Sequence, residues 1–182
     1  MAVWNVISAQ TVDASNPLTV TFSSIPDTYD HLYILGSARL SNTGGSTYYP
    51  EVVTSFNNVT SGSEYNYSFI KAYSTTITGL VAANQASGWY GLRSCGTNTV
   101  ADIFAPIEIW IPNYSNTDNY KTGVFTCIVS NNDSTDGRWY HQWGGFQWAN
   151  TAAISEIDFI PTSSGTFAQY STFTLYGING AA

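Results

Sequence analysis

Apolar and polar residues alternate with a period of two along much of this chain, which is the spacing of side chains on the two faces of a β-strand. The clearest short example runs from Leu18 to Phe22, and it predicts a strand with Leu18, Val20 and Phe22 on the buried face. Residues 31–40 and 103–111 alternate in the same way, with isoleucine and leucine on one side. These patterns predict strands that each turn one face toward a core.

The last part of the chain, residues 154–178, is predicted to form two strands joined by a short polar turn. Pro161, Ser163, Ser164 and Gly165 indicate the turn, because proline removes a ladder donor and glycine tolerates turn dihedrals. After the turn, three residues are predicted to share one face of the last strand: Phe173, Leu175 and Gly177. A final strand of this length is expected to lie centrally in its sheet, so that the fold closes only when the chain is complete.

Nine or ten short strands are predicted in this way, and no segment has a convincing period of 3.6 residues. Residues 74–88 are rich in Ser, Thr, Gly and Ala, and one helical turn near residues 80–85 is an open alternative there. With no internal repeat and no linker-like composition, a single domain is predicted over residues 1–182. We expect an all-β, antiparallel β-sandwich that is jelly-roll-like rather than immunoglobulin-like, because the Cys…Trp…Cys spacing of immunoglobulin domains is absent.

Charge and composition narrow the classes of function. The 182 residues carry a net charge of −7 with only five Lys plus Arg, and charged residues make up 9% of the chain, against about 25% in an average soluble domain. Nucleic acids and anionic membranes are bound through clustered cations, so neither is an expected partner. Aromatic residues reach 15%. Together with the many Ser, Thr and Asn residues, these aromatic residues indicate β structure whose surface is covered by neutral polar groups. Such surfaces are typical of proteins that work outside the cytoplasm or inside an assembly.

The first twelve residues have no basic segment followed by a long apolar core, and we therefore expect no signal peptide. No apolar run approaches the ~20 residues of a transmembrane helix. The two cysteines, Cys95 and Cys127, could form a disulfide or remain free. Cys127 lies in the apolar segment GVFTCIVS, which favours a buried free thiol, and without C-x-x-C spacing no zinc site is expected.

The segment WYHQWGGFQW, residues 139–148, is the strongest candidate for binding chemistry. On a strand, Trp139, His141 and Trp143 would share one face. Flat rings beside amides and an imidazole suit the apolar faces and the hydroxyls of a sugar. Trp148 adds a fourth candidate ring to this possible carbohydrate or subunit contact.

The alternative interpretation, which we favour, is that these aromatic residues pack in the core or at a subunit interface, with a bulge at Gly144–Gly145. An oligomer interface is also predicted from other residues. Gly36 and Ala38 are small and lie on one strand face, which suits the close approach of another strand or chain. Tyr65 and Tyr67 belong to a surplus of aromatic residues that one small domain would not bury completely.

Patterns for catalysis and metal binding are weak. Asp30 and His31 are adjacent and could form an acid–base couple, but no nucleophile motif such as G-x-S-x-G accompanies them. The only other histidine is His141, and the scattered carboxylates nominate no glycosidase pair. Residues 132–137 faintly resemble a calcium loop, but its twelfth position is Trp143 rather than an acid, which favours an Asx-type turn. We predict a non-enzymatic protein with no metal and no cofactor.

Four motifs spread over most of the chain carry a resemblance to known proteins: FSSIPDTYDHL at 22–32, IWIPNYS at 109–115, AAISEIDF at 152–159 and FAQYSTFTLYGI at 167–178. In these motifs the chain resembles small virion structural proteins of tailed bacteriophages. Such proteins serve as capsid decoration (cement) proteins, head fibres, or parts of tail fibres and baseplates. The resemblance implies a β-sandwich, an oligomer that is most often a trimer, and a place on the virion exterior or tail. It implies no catalytic residues.

The expected function is therefore that of a capsid decoration protein that stabilises the capsid lattice by binding the major capsid protein or other virion proteins. The alternative is a receptor- or carbohydrate-binding module of a tail fibre, head fibre or baseplate, with a host surface glycan as its ligand. The aromatic segment at 139–148 motivates this alternative.

Overall fold

A computed structural model describes residues 3–42, 48–130, 139–162 and 165–180. All regular structure in these ranges is β-strand, and fourteen strands follow one another in chain order: β1 (Val3–Thr11), β2 (Val20–Phe22), β3 (His31–Ala38), β4 (Leu40–Asn42), β5 (Glu51–Phe56), β6 (Tyr65–Tyr73), β7 (Thr76–Gln85), β8 (Trp89–Arg93), β9 (Ala105–Pro112), β10 (Lys121–Ser130), β11 (Trp139–Trp148), β12 (Ile157–Pro161), β13 (Thr166–Phe167) and β14 (Thr172–Asn179). The prediction of an all-β protein is confirmed. The predicted count of nine or ten strands is too low, because β4 and β13 are very short and β7 lacks alternation.

The strands form two main layers. Eight strands make a large sheet in the order β1–β14–β3–β9–β10–β11–β6–β7, and four make a small sheet in the order β2–β12–β5–β8. The paired strands are antiparallel, and β13 and β4 form a separate two-stranded sheet. The small sheet packs on one face of the large sheet, called the inner face here. The opposite face is the outer face.

The core between the two sheets is built largely from aromatic rings. Trp89 of β8 stacks on Phe146 of β11, with ring centroids 4.5 Å apart. Phe159 of β12 packs on Phe173 of β14 with centroids 4.9 Å apart. All four side chains are buried. Aromatic pairs of this kind contribute about 0.5–1.5 kcal/mol each beyond the burial of their surface, and these two pairs join the layers.

The two closing strands do not pair with each other. β12 lies in the small sheet, whereas β14 lies in the large sheet between β1 and β3. Between β12 and β14 the chain passes from one layer to the other, with the short strand β13 on the way, and Phe159 and Phe173 meet across the core. Ser163 and Ser164 of the predicted turn lie outside the described residues. The central position predicted for the last strand is wrong, because β14 pairs with the edge strand β1 and lies one place from the edge of its sheet.

Residues 74–88 hold a strand rather than a helical turn. β7 pairs with β6 along a ladder from Tyr73↔Thr76 to Tyr65↔Gln85, which satisfies one side of its backbone. β7 is also the edge of the large sheet, and nearly all of its side chains are exposed. A strand exposed on both faces has no need to alternate apolar and polar residues, and this is why periodicity did not identify it.

The strand predicted from Leu18 begins two residues later. β2 contains Val20 and Phe22, which are buried as expected and pair with Phe159 and Ile157 of β12. Leu18 precedes this ladder, and 62% of its surface is exposed. The prediction that Leu18 is buried is wrong, because without a paired strand around it nothing fixes its side chain against the core.

Both cysteines are buried free thiols, and they provide a first test of the fold. Burial raises the pKa of Cys95 to about 11 and that of Cys127 to about 12. At pH 8 the reactive thiolate is therefore scarce as well as shielded. We expect Ellman's reagent to find almost no thiol in the native protein and two per chain in denaturant. Rapid reaction of both thiols without denaturant would contradict this core.

Candidate interaction surface

The outer face of the large sheet carries a continuous band of mostly apolar residues. One register row crosses all eight strands and contains Val6, Tyr176, Tyr33, Trp110, Val124, Gly145, Ser68 and Val81. Residues in one row are lateral neighbours across paired strands. The band is therefore a single surface, although its members are distant in the sequence.

The half of this face formed by β10, β11, β6 and β7 carries no Asp, Glu, Lys or Arg at an outward position of these described strands. We call it the apolar half-face, and its large exposed residues are Ile70, Ile77, Val81, Val124, Ile128, Trp139 and Trp143. Val81 is 84% exposed and Val124 is 57% exposed. Contiguous exposed apolar surface without charge is typical of sites that bind another macromolecule.

The predicted aromatic segment lies in the middle of the apolar half-face. Trp139, His141 and Trp143 point outward from β11, as the period of two predicts. The rings of His141 and Trp143 are in contact, with centroids 4.9 Å apart. His141 Nε2 lies 3.1 Å from Thr126 Oγ1 on the neighbouring strand. This hydrogen bond orients the imidazole beside the exposed indole of Trp143.

Trp148 does not belong to this surface. It points to the inner face and is fully buried, with its ring stacked near Tyr65 at a centroid distance of 6.5 Å. Its Nε1–H donates a hydrogen bond to Glu64 Oε2 at 2.9 Å. Because the ring has no exposed surface, Trp148 is removed from the predicted carbohydrate or subunit contacts.

The predicted bulge at Gly144–Gly145 is absent. β11 pairs without a register shift with β10 on one side and with β6 on the other. Glycine is required at position 144 for a different reason. A Cβ atom there would lie 2.1 Å from the carbonyl oxygen of Ser68 and 2.7 Å from the Cβ of Phe69. Gly144 therefore allows β11 and β6 to approach each other closely.

The residues predicted for an oligomer interface mostly serve contacts within the chain. Ala38 and Tyr65 are fully buried, and the Tyr65 hydroxyl accepts a hydrogen bond from the Phe56 amide at 2.9 Å. A Cβ on Gly36 would lie 3.1 Å from the Phe173 ring, so its small size accommodates a neighbour in the same chain. Ala38 and Tyr65 are not available to a second molecule.

Tyr67, the fourth residue predicted for this interface, is half-buried on the inner side of β6. It stacks on Phe69, with ring centroids 6.3 Å apart, and also packs on Tyr90 of β8 at 6.0 Å. Burial raises its pKa above the ordinary value for tyrosine. Its contacts therefore extend the core toward the β7 edge of the sheet.

A second aromatic cluster on the outer face was not predicted from the sequence. It lies at the other end of the large sheet and consists of Trp4, His31, Tyr33, Trp110 and Tyr176. The rings of Trp4 and Tyr33 meet edge to face with centroids 5.1 Å apart. These residues come from β1, β3, β9 and β14, so only the strand register brings them together.

Glu108 lies next to this second cluster and accepts a hydrogen bond from one of its tyrosines. The Tyr33 hydroxyl donates a hydrogen bond to Glu108 Oε2 at 2.9 Å. Burial and, after it, the neighbouring carboxylate raise the pKa of Tyr33 to about 12. Tyr33 therefore remains a neutral donor throughout the physiological pH range.

The adjacent acid and histidine do not form an acid–base couple. Asp30 Oδ2 accepts a hydrogen bond from the Gly180 amide at 2.6 Å. His31 Nδ1 instead accepts one from the Asn113 amide at 3.2 Å, and its ring packs on Trp110. Each side chain has a separate structural partner, so both fix neighbouring segments at the start of β3.

Within the described part of the chain, no group of three or more His, Cys, Asp or Glu side chains could hold a metal ion. The weak calcium-loop candidate at 132–137 lies outside the described residues. None of the described segments is a helix with the length and apolar character needed to cross a membrane.

No protein-family model, curated protein or solved structure matches the chain. The fold and its outer face therefore define the class of molecule, an all-β protein with an extended apolar sheet surface.

Proposed function

We propose that this chain is a structural subunit of a bacteriophage virion that decorates the capsid as a homotrimer. In this role the apolar half-face packs against neighbouring protein molecules, either copies of the chain or the major capsid protein. The observation that carries the proposal is the absence of charge across four adjacent strands of a face with exposed Val, Ile and Trp residues. The resemblance to phage virion proteins supplies the biological setting.

The edge of the large sheet supports the same role. β7 has the sequence TITGLVAANQ, with no charged residue and no proline. Ile77, Leu80 and Val81 on this strand are all exposed. Edge strands of monomeric proteins are normally protected by charges, prolines or bulges, because an open edge templates pairing with other chains. The register of β7 shifts only near its end, between Ala82 and Gln85. The rest of this edge has no such protection, which fits a protein whose edge is covered in its working state.

The chemistry of the surface also favours protein as the partner. Interface cores are depleted in charged residues and enriched in aromatic ones, and the apolar half-face has both properties. Nucleic acid would require clustered cations, whereas the outward positions of these four strands carry none.

The virion role is tested on phage particles that carry the gene for this chain. We expect the chain to be present in purified heads in many copies, and we expect heads from a deletion strain to release their DNA at a lower temperature. Re-addition of purified protein should restore the original temperature. Heads of unchanged stability, together with absence of the chain from purified capsids, would refute the proposal.

Carbohydrate binding is a second candidate function, supported by the contact between the His141 and Trp143 rings on an exposed face. A sugar stacked on the indole would lose roughly tenfold in affinity when the ring is removed. For this candidate, we expect the wild type to bind a host surface glycan on an array and Trp143→Ala to weaken that binding. Val124→Ala, on the same face, is the matched control. No binding by the wild type would count against this candidate.

A further inference from the structure

A pocket at the β7 edge of the sheet lies on the inner face, on the opposite side from the apolar half-face. Its volume is about 370 Å³, and it is lined by Tyr49, Lys71, Tyr73, Thr76, Thr78 and Tyr140. The register places these side chains together, because Tyr73 pairs with both Tyr140 and Thr76, and Lys71 pairs with Thr78. A volume of this size falls within the range of small-molecule sites, roughly 300–1,000 Å³.

Three tyrosine rings form the wall of this pocket. Tyr49 stacks on Tyr140 with centroids 5.4 Å apart and meets Tyr73 edge to face at 5.7 Å. The Tyr140 hydroxyl donates a hydrogen bond to Gln142 Oε1 at 2.7 Å, which fixes the ring. The wall therefore offers flat apolar surfaces, and the exposed residues Thr76 and Thr78 of β7 line the pocket with it.

Lys71 differs from the other described cations. Arg39 donates to the carbonyl oxygens of residues 99, 100 and 103, and Lys121 donates to those of residues 119 and 151. Arg93 pairs with Glu51. The Lys71 ammonium, by contrast, lies 5.9 Å from the Tyr140 ring centroid and has no acidic or carbonyl partner among the described residues.

The described residues that line the pocket carry no negative charge, although the whole chain carries −7. None of its six lining residues is a carboxylate. Arg93 also lies over the Tyr140 ring, with its guanidinium carbon 5.6 Å from the centroid. An ammonium beside apolar rings and hydroxyls is suited to an anionic ligand that also has an apolar face and hydroxyl groups.

We propose that this pocket binds an acidic sugar, with the sugar ring stacked on the tyrosine wall and its carboxylate bound to Lys71. The hydroxyls of Thr76 and Thr78 then bind the sugar hydroxyls. A single cation is too few for a nucleic acid, whose backbone requires several, and a neutral sugar would offer the ammonium only hydroxyl acceptors in place of a charge-assisted contact. The pocket shares the strand β7 with the proposed virion contacts but lies on the inner side of that strand, and it is tested independently of them.

The test uses the purified full-length protein and two matched ligands, a glucuronic-acid oligosaccharide and the glucose oligosaccharide of the same length and linkage. Binding is followed by titration calorimetry and by saturation-transfer NMR at low salt. We expect the acidic ligand to bind at least roughly tenfold more tightly, which is the difference made by one charge-assisted contact.

Variants at Lys71 distinguish the effect of losing the positive charge from the effect of disturbing the fold. Lys71→Met keeps the apolar stem and should remove the preference for the acidic ligand, whereas Lys71→Arg should retain it. Leu18→Ala, at an exposed residue outside the large sheet, should leave binding unchanged, and circular dichroism should show that each variant is folded. The proposal is overturned if the wild type binds neither ligand, if it binds both equally, or if Lys71→Met binds like the wild type.

Discussion

Replacing Val81 with lysine should convert the assembled protein into a monomer. Val81 lies on the edge strand β7 with 84% of its surface exposed, so the substitution should not disturb the fold of one chain. A charge on an open edge or in an apolar contact opposes pairing with another chain. We expect the wild type to form a trimer at micromolar concentration and Val81→Lys to weaken assembly by about 100-fold, or about 2.7 kcal/mol.

Multi-angle light scattering after gel filtration measures this effect. The wild type should have three times the mass of one chain, and Val81→Lys should have the mass of one chain. Leu18→Lys is the matched control, because Leu18 is also an exposed apolar residue but lies outside β7 and the large sheet. A wild type that is monomeric at these concentrations, or a Val81→Lys variant that assembles normally, would contradict the role assigned to this edge.

Substituting Gly144 with alanine should strongly destabilise the protein. The added Cβ would lie 2.1 Å from the carbonyl oxygen of Ser68, an atom fixed in the backbone of β6. β11 and β6 would have to separate, and overpacking of this kind costs about 3 kcal/mol. Urea unfolding, followed by tryptophan fluorescence, should show a clear fall in the transition midpoint.

Gly145→Ala provides a control on the neighbouring residue. The nearest atom to its added Cβ is the carbonyl oxygen of Gly123 at 3.2 Å, which requires only a small adjustment. We expect a loss of stability below about 1 kcal/mol for this variant. If both alanine variants lose the same amount of stability, the close approach of the Ser68 carbonyl oxygen does not explain why position 144 is a glycine.

The faces of many strands could be predicted because a period of two is a local property of the sequence. Ile107, Ile109 and Ile111 of β9 are buried as their alternation indicates, and so are Phe173 and Leu175 of β14. Which sheet a strand joins is not local. The separation of β12 and β14 into different layers depends on pairing with β5 and β3, and no pattern within residues 154–178 encodes those partners.

In the candidate site, too, the local features could be predicted from the sequence and the groupings across strands could not. The outward positions of Trp139, His141 and Trp143 follow from alternation, and alternation alone would also have placed Trp148 on the opposite face, since it lies an odd number of residues away. The cluster around Trp4 combines four strands. The pocket at Lys71 combines residues from three strands and the segment before β5. Neither the cluster nor the pocket could be recognised from any single segment of the sequence.

The most direct test of the account is an electron cryo-microscopy map of an intact particle that carries this chain. The account predicts that the outward side chains of β10, β11, β6 and β7, with Trp143 and Val81 among them, lie against another protein molecule. A map in which the chain is present but this face is open to solvent would contradict the account.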